Sequence, residues 1–522
     1  MENSKKIEIP FEVTDKGKVR FDTYGYIGYT EDLGFRRTKI FGVEHLVRIQ
    51  DNIVKTVSKS DIIQTALEYL DENFDQKSEL EHGVTKYEIK NAWINKARQI
   101  SEDAALSFMK YEELNPLRDT QEISYFFFKN TVVKVTKDVI APLSYSDLDS
   151  HVMEEQIIQR NFIIRDHLLT SFIPFRQFVH NVAGNIHERM IAFEAMIGYM
   201  LHTFQNPALA KAVILLDSVV NEIGLIEGGT GKSLLVRGLS YMRYLCNISG
   251  KDFSSSSGFA FQRVTPFTSI VAINDIKDNQ NFEGFFGRIT DGFTISRKYK
   301  HDIFIAFAYG PKMIITSNYY VKSPSGNSTE RRKHEIELSP HYGKDLTVYD
   351  DFGHHFFDDW NEEQWLGFDH YMLYCVQLYL EKGLVKAPSI NLELRKLISE
   401  VGLELVEFLD QVLLTKTKLH KKELFAEFRK ESTGSGRYQL SLRGFTIRLK
   451  KYLEYKGISY VETPSNTKVF IEIITEETKE KQSLLTINDI KTDYKTVDTA
   501  NKMTRLVNQL QKFFSTENTP KN

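Results

Sequence analysis

Lys232 and Ser233 close the run Glu227-Gly228-Gly229-Thr230-Gly231-Lys232-Ser233-Leu234. Glycines followed by Lys-Ser suit phosphate chemistry. Without a Cβ, the backbone N–H groups can come close to phosphate oxygens, and a helix opening at Lys232 adds its positive dipole end. The lysine is then expected at the β/γ-phosphates and the Ser233 hydroxyl on Mg²⁺. The full pattern has glycine six positions before the lysine, where this chain has Ile226. The Gly228-Gly229 pair is expected to supply the missing flexibility.

Two further stretches end in residues that such a site needs. Thr268 to Ile273 is apolar-rich and stops at Asn274-Asp275. Asp275 can hold Mg²⁺ or polarise an attacking water, with Asn274 orienting the metal's water. Met313-Ile314-Ile315-Thr316-Ser317 stops at Asn318, a polar side chain able to reach a γ-phosphate. Past a Gly/Ser/Pro loop lie Arg331 and Arg332, which suit either a solvated face or a finger reaching across a subunit interface.

Between those stretches, Phe293 to Lys298 and Ile303 to Phe307 alternate like strands around Tyr299-Lys300-His301-Asp302. This predicts a β-hairpin with a basic, aromatic tip. Lys298 and Lys300 would contact phosphates of a single strand and Tyr299 offers a face for a base, unless the tip is simply a solvated turn.

Two other clusters are weaker. Asp147-Leu148-Asp149-Ser150-His151 could ligate metals but reads better as a capped turn. His354-His355-Phe356-Phe357-Asp358-Asp359 runs into the aromatic stretch Trp360 to Trp365 and reads as packing.

These groups need a scaffold. Ala212-Val213-Ile214-Leu215-Leu216 is an apolar run, as expected of a buried parallel strand leading into the glycine turn. Earlier, short strands are predicted at Lys18–Phe21, Lys39–Val43, Leu46–Ile49 and Val132–Lys137. Helices are predicted over Ile62–Leu70 and Lys86–Gln99, and through the helix-rich stretch Phe162–Phe204. After the core, Glu393–Leu414 reads as one long amphipathic helix and Lys421–Lys430 as a second. A third runs from Ser441, a good N-cap, to Tyr455. A hairpin then flanks Thr463-Pro464-Ser465-Asn466. Three helices and a hairpin are the layout of a winged helix. Lys416–Lys456 holds 12 Lys/Arg against 4 Asp/Glu, a local balance of 12 − 4 = +8. Arg443, Arg448, Lys450 and Lys451 on the third helix would face duplex phosphates. The tail beyond Thr475 is charged, with a last amphipathic helix expected near 504–514.

The length of 522 residues predicts two to four domains. A net charge of -3 excludes a global basic field, so nucleic-acid contact must come from local patches. The two cysteines, Cys246 and Cys375, are too few for a zinc site or disulfide framework, which fits a reducing cytoplasm. No apolar run approaches the ~18 residues that span a bilayer, and no apolar segment follows Met1, so a soluble, cytoplasmic protein without membrane contact is expected.

The order Gly-Gly-Thr-Gly-Lys-Ser, apolar strand to Asn274-Asp275, hairpin, Lys312 to Asn318, then Arg331-Arg332 resembles superfamily 3 helicases. More narrowly, it is similar to the helicase part of phage and plasmid primase-helicase proteins of the poxvirus type. The resemblance spans about Phe162 to Tyr379. It implies a hexameric AAA+ ring ATPase that uses ATP and Mg²⁺ and translocates on DNA. It assigns phosphates to Lys232, Mg²⁺ to Ser233 and Asp275, a sensor to Asn318, a trans finger to Arg331 or Arg332, and a channel-facing tip to Lys300 and His301.

The expected fold is thus an α/β P-loop AAA+ core, residues 161–385, after an α+β N-terminal domain, 1–160. A winged-helix DNA-binding domain, 386–475, and a charged tail, 476–522, follow. The expected function is an ATP-dependent ring-forming DNA helicase replicating a phage, plasmid or other mobile element. Its partners would be single-stranded and duplex DNA, further copies of itself as a homo-hexamer, and a separate primase or other replication protein. The alternatives are an origin-binding initiator ATPase with weak unwinding, or a P-loop phosphotransferase. The hairpin and the arginine pair argue against the last.

Overall fold

A computed structural model of the chain describes residues 9–40, 42–73, 83–165, 171–219, 229–251, 253–255, 257–277, 280–299, 301–323, 327–431, 440–465 and 468–474. Ile226, Glu227, Gly228, Lys300 and the helix expected near 504–514 lie outside the described residues. The chain divides into two compact units, Met1–Glu393 and Leu394–Asn522.

The first unit opens with the hairpin β1 (Phe11–Val13) and β2 (Val19–Phe21), helix α1 (Thr23–Asp32) and strands β3 (Phe35–Ile40), β4 (Val43–Gln50) and β5 (Ile53–Thr56). The stretch Lys39–Val43, expected as one strand, is divided between the end of β3 and the start of β4, where Ile40 pairs with Val43. Helices α2 (Lys59–Asn73), α3 (Lys86–Ile100) and α4 (Asp103–Leu106) follow. A capping box starts α3, with Thr85 and Glu88 satisfying each other's backbone N–H groups. Phe21, Tyr26 and Tyr29 pack around the Trp93 ring.

Strands β6 (Ser124–Phe128), β7 (Thr131–Val135) and β8 (Ile140–Leu143) make an antiparallel sheet, and β9 (Val152–Met153) runs parallel to β5. Phe126, Phe128, Val133 and Val135 join the main core, together with residues of the helices that follow. These strands thus pack on the core of the expected 161–385 segment, while Phe21, Tyr26 and Trp93 belong to a separate core.

The centre of the unit runs α5 (Pro174–Val182), α6 (His187–Leu201), β10 (Ala212–Asp217), α7 (Lys232–Ser240), β11 (Leu245–Ser249), β12 (Ile270–Asn274) and α8 (Phe286–Thr290). The hairpin β13 (Gly292–Ile295) and β14 (Ile303–Ala306) comes next. Then follow β15 (Lys312–Ser317), α9 (Asn327–Glu330), β16 (Lys333–Leu338), α10 (Val348–Phe352) and α11 (Glu362–Lys382). Five strands form one parallel sheet in the order β11-β12-β15-β10-β16.

A parallel sheet covered on both faces needs apolar side chains at every position. The β10 residues split accordingly. Val213 and Leu215 face a core built with α5, α6, α7 and α11, while Ala212, Ile214 and Leu216 face a second core holding Phe253, Phe282, Phe285 and Phe293. Because all five strands point the same way, their C-terminal ends share one edge, where polar residues can converge.

In the second unit, the helix expected over Glu393–Leu414 is two, α12 (Leu392–Val401) and α13 (Leu403–Val412). Gly402 separates them at φ +97, a backbone conformation that no helix continues. Strand β17 (Lys418–His420), helices α14 (Lys421–Glu431) and α15 (Leu442–Tyr455), and hairpin β18 (Tyr460–Ser465) and β19 (Lys468–Ile473) complete it. The sheet order is β17-β19-β18, antiparallel throughout. Ser441 caps α15 by accepting the Gly444 N–H, as its position suggested. Among the described residues no helix is long and apolar enough to cross a membrane.

Candidate functional site

Lys232 is the first residue of α7, and Gly231 before it sits at φ +104. A Cβ at 231 would lie 2.7 Å from the Phe178 ring, so both the conformation and the space demand glycine. The N-cap residue, Gly231, has no side chain to cap this helix start. Helix starts of this kind expose first-turn N–H groups, and such groups suit an anion.

The lysine points back across the edge of the sheet. Its Nζ donates to Asn318 Oδ1 at 2.7 Å and forms an ion pair with Asp217. The Thr230 hydroxyl donates to the other Asp217 oxygen. Sheet register makes this possible. Leu216 of β10 pairs with Ser317 of β15, so Asp217 and Asn318 emerge side by side. Asp217, Thr230 and Lys232 are each only 6% exposed. Ser233, in contrast, is exposed, while the Leu234 side chain packs partly on the main core. Any role of Leu234 at the site falls to its backbone.

Asp275, just past β12, is exposed at φ +57, and its N–H donates to Thr316 Oγ1 at 2.9 Å. Its side chain is thus turned out at the same strand edge. Asn274 donates to Asn247 Oδ1 at 3.1 Å, and its own Oδ1 is buried with no hydrogen-bond partner among the described residues. Such an atom is usually met by water or ligand.

Arg331 and Arg332 are placed differently from one another. Arg331 is exposed. Arg332 donates to the Ser328 carbonyl at 2.8 Å and hydroxyl at 2.7 Å, and stacks 4.8 Å from the Phe286 ring centre. Both precede β16 and so lie at the N-terminal edge of the sheet. Burial brings Lys312, at that same edge, down to about 7; its Nζ donates to the Tyr199 carbonyl at 2.7 Å.

The hairpin β13–β14 is shorter than its alternating pattern. Lys298, Tyr299 and His301 sit beyond it, all exposed, with Tyr299 at φ +61. Arg297 anchors the base through a 3.1 Å bond to the Val264 carbonyl.

In the second unit, three of the four α15 cations are engaged. Arg448 donates to the Val401 carbonyl at 3.2 Å, Lys450 pairs with Glu462, and Lys451 pairs with Glu400 at 2.9 Å. Arg443 is exposed. The partners lie 12 to 51 residues away in sequence, so local charge counting could not find them.

In the two weaker clusters, several members make local contacts. His151 Nδ1 accepts the Asn115 N–H at 3.1 Å, and Asp147 and Asp149 are exposed. His354 bonds the Phe352 carbonyl at 2.8 Å and Gln364 at 3.2 Å, while Asp358 pairs with Arg237. Among the described residues, no group of three or more His, Cys, Asp or Glu side chains could hold a metal ion. Cys246 and Cys375 are buried and free.

Sequence reasoning missed Asp217 and Thr316. The signal for Asp217 was present, since it is the first charged residue after an unbroken apolar strand.

No family model and no curated protein matches the chain. Among solved structures, it is similar to the apo structure of the NrS-1 C-terminal region, with 13% identity, a TM-score of 0.36, and 87% of this chain and 99% of that one covered. The A-form apo structure of the same region gives 14% identity and a TM-score of 0.31, covering 68% of this chain and 96% of that one.

Proposed function

We propose that this chain is an ATP-driven, ring-forming DNA helicase of the superfamily 3 type. The observation that carries the reading is the convergence of Lys232, Thr230, Asp217 and Asn318 at the C-terminal edge of the parallel sheet, beside an uncapped helix start. That edge is where α/β sheets bind nucleotides. The site fits ATP with Mg²⁺. Gly229 and Gly231 take positive φ as a phosphate cradle requires. Lys232 would compensate phosphate charge, Asn318 would orient it, and Ser233 and Asp275 would hold the metal. Held by these two residues, Mg²⁺ would supply charge neutralisation to the phosphates.

The strand order supports an AAA+ core. Counted within the sheet, the strands run 2-3-4-1-5, with the phosphate-loop strand between the fourth and fifth. Arg331 supports a ring, because it lies at the edge opposite its own Lys232. The exposed Lys298-Tyr299 tip with His301 supports a strand-gripping element.

For the second unit, helix, strand, two helices and a hairpin support a winged helix. The internal pairing of Arg448, Lys450 and Lys451 favours a second reading of its role, docking on a replication protein such as a separate primase. Arg443 remains the residue best placed for duplex phosphate.

Steady-state ATP hydrolysis with and without single-stranded DNA tests the function. A helicase is strongly stimulated. An origin-binding initiator is weakly stimulated, and a phosphotransferase is indifferent to DNA.

A further inference from the structure

Asp217 is a buried carboxylate that the proposed reaction does not use. It ends β10, is 6% exposed, and divides its two oxygens between Thr230 and Lys232, both residues of the phosphate loop. Among the described residues, the lysine's other hydrogen-bond acceptor is the neutral Asn318 oxygen at 2.7 Å. Asp275, the acid expected to serve the metal, is turned outward and is not the lysine's partner. The ion pair is therefore neutral as a unit. In this arrangement the cation at the start of α7 is already matched by a carboxylate of the same chain.

A nucleotide entering this loop brings phosphate charge to Lys232 and sets it beside Asp217. Two anions then share one ammonium in a site largely closed to water. A unit charge within about 4–6 Å moves the equilibrium of a neighbouring ionised group by one to three powers of ten. Resting on the nucleotide reading above, we infer that Asp217 is an internal competitor for Lys232. It holds the lysine and Thr230 in place without nucleotide, must yield the lysine to the incoming phosphates, and so weakens nucleotide binding. Asp217 acts through Lys232 and is a positioning residue.

The test is nucleotide affinity of the full chain, measured by calorimetry for ADP and ATP with and without Mg²⁺. Asp217→Asn keeps the size and removes the charge. It is expected to tighten binding at least about tenfold, most in the absence of Mg²⁺, where phosphate charge is least screened. In turnover, KM for ATP falls while kcat does not rise, a split that a merely structural residue would not give. Asp217→Glu keeps the charge and is expected to bind no more tightly than wild type. Asp217→Ser, which leaves room for water in place of the carboxylate, replaces the Asn variant if that one melts early, and carries the same expectation. Tightening with Asn or Ser but not Glu supports the competitor. Unchanged or weaker binding in the folded neutral variants, with wild type binding normally, overturns it and leaves the nucleotide reading standing. Absence of binding by wild type and neutral variants alike overturns the nucleotide reading itself, and the competitor with it.

Discussion

The main-chain N–H of Ala212 donates to the carbonyl of Arg332 at 2.8 Å, which fixes the arginine pair beside the first residue of β10. Asp217, the last residue of that strand, holds Lys232. Five steps of strand at ~3.3 Å each separate the two ends by about 17 Å. The chain therefore carries Lys232 on one edge of the sheet and its arginine pair on the other.

Asp275→Asn is expected to lower kcat by about 10²-fold or more, the scale on which removal of one preorganised electrostatic group acts. Nucleotide affinity should change far less, since Lys232 and the loop remain. Steady-state kinetics beside a binding titration checks this, and an unchanged kcat would mean that the metal is held elsewhere.

The hairpin should couple the motor to its track. Lys300→Ala with His301→Ala is expected to reduce single-strand binding and strand displacement while DNA-independent ATP hydrolysis survives. Tyr299→Ala should weaken single-strand binding by about 1–3 kcal/mol, the contribution of one base stacked on an aromatic ring. Anisotropy with a labelled oligonucleotide reads both. Wild-type binding and displacement would make the tip an ordinary solvated turn.

Much of the site was legible because it is local. Gly-Lys-Ser at a helix start, and apolar strands ending in Asn274-Asp275 and Asn318, are patterns confined to a few residues. Contacts between distant segments were not legible. Asp217 meets Lys232 only because β10 and α7 fold back on each other, and Arg332 is occupied by Phe286, far along the chain. In the fold, three of the five parallel strands, β10, β12 and β15, were visible as apolar runs, while β11 and β16, which carry Asn247, Lys333 and Glu335, were not. Gly402 was hidden because the apolar periodicity continues on both sides of it. Lys418–His420 pairs with β19 through three residues, too short a run to show alternation.

Two buried histidines predict a pH dependence of stability. Burial pushes His202 and His334 down from 6.5 to about 4, and His202 Nε2 donates to the Thr120 carbonyl at 2.7 Å. Their folded values lie below the unfolded ones, so as pH falls the unfolded chain takes up protons that the folded chain refuses. Stability from these groups is complete above pH 6.5 and is lost between 6.5 and about 4, by up to about 3 kcal/mol each. Thermal melts over that range should show the loss, and His202→Gln with His334→Gln should flatten it. An equal slope in the double variant would contradict the assignment.

A neighbouring copy is expected to complete the hydrolytic site, and mixing two inactive variants tests this most directly. A Lys232→Ala subunit lacks its phosphate lysine but keeps Arg331. An Arg331→Ala, Arg332→Ala subunit lacks the fingers but keeps its loop, and a finger in trans is worth roughly 10³–10⁵ in rate. Each variant alone should be near background. Once both are shown to assemble, ATP hydrolysis measured across mixing ratios should rise to a maximum at intermediate ratios, where intact loops meet intact fingers. Background activity at every ratio would contradict the shared site and the ring with it.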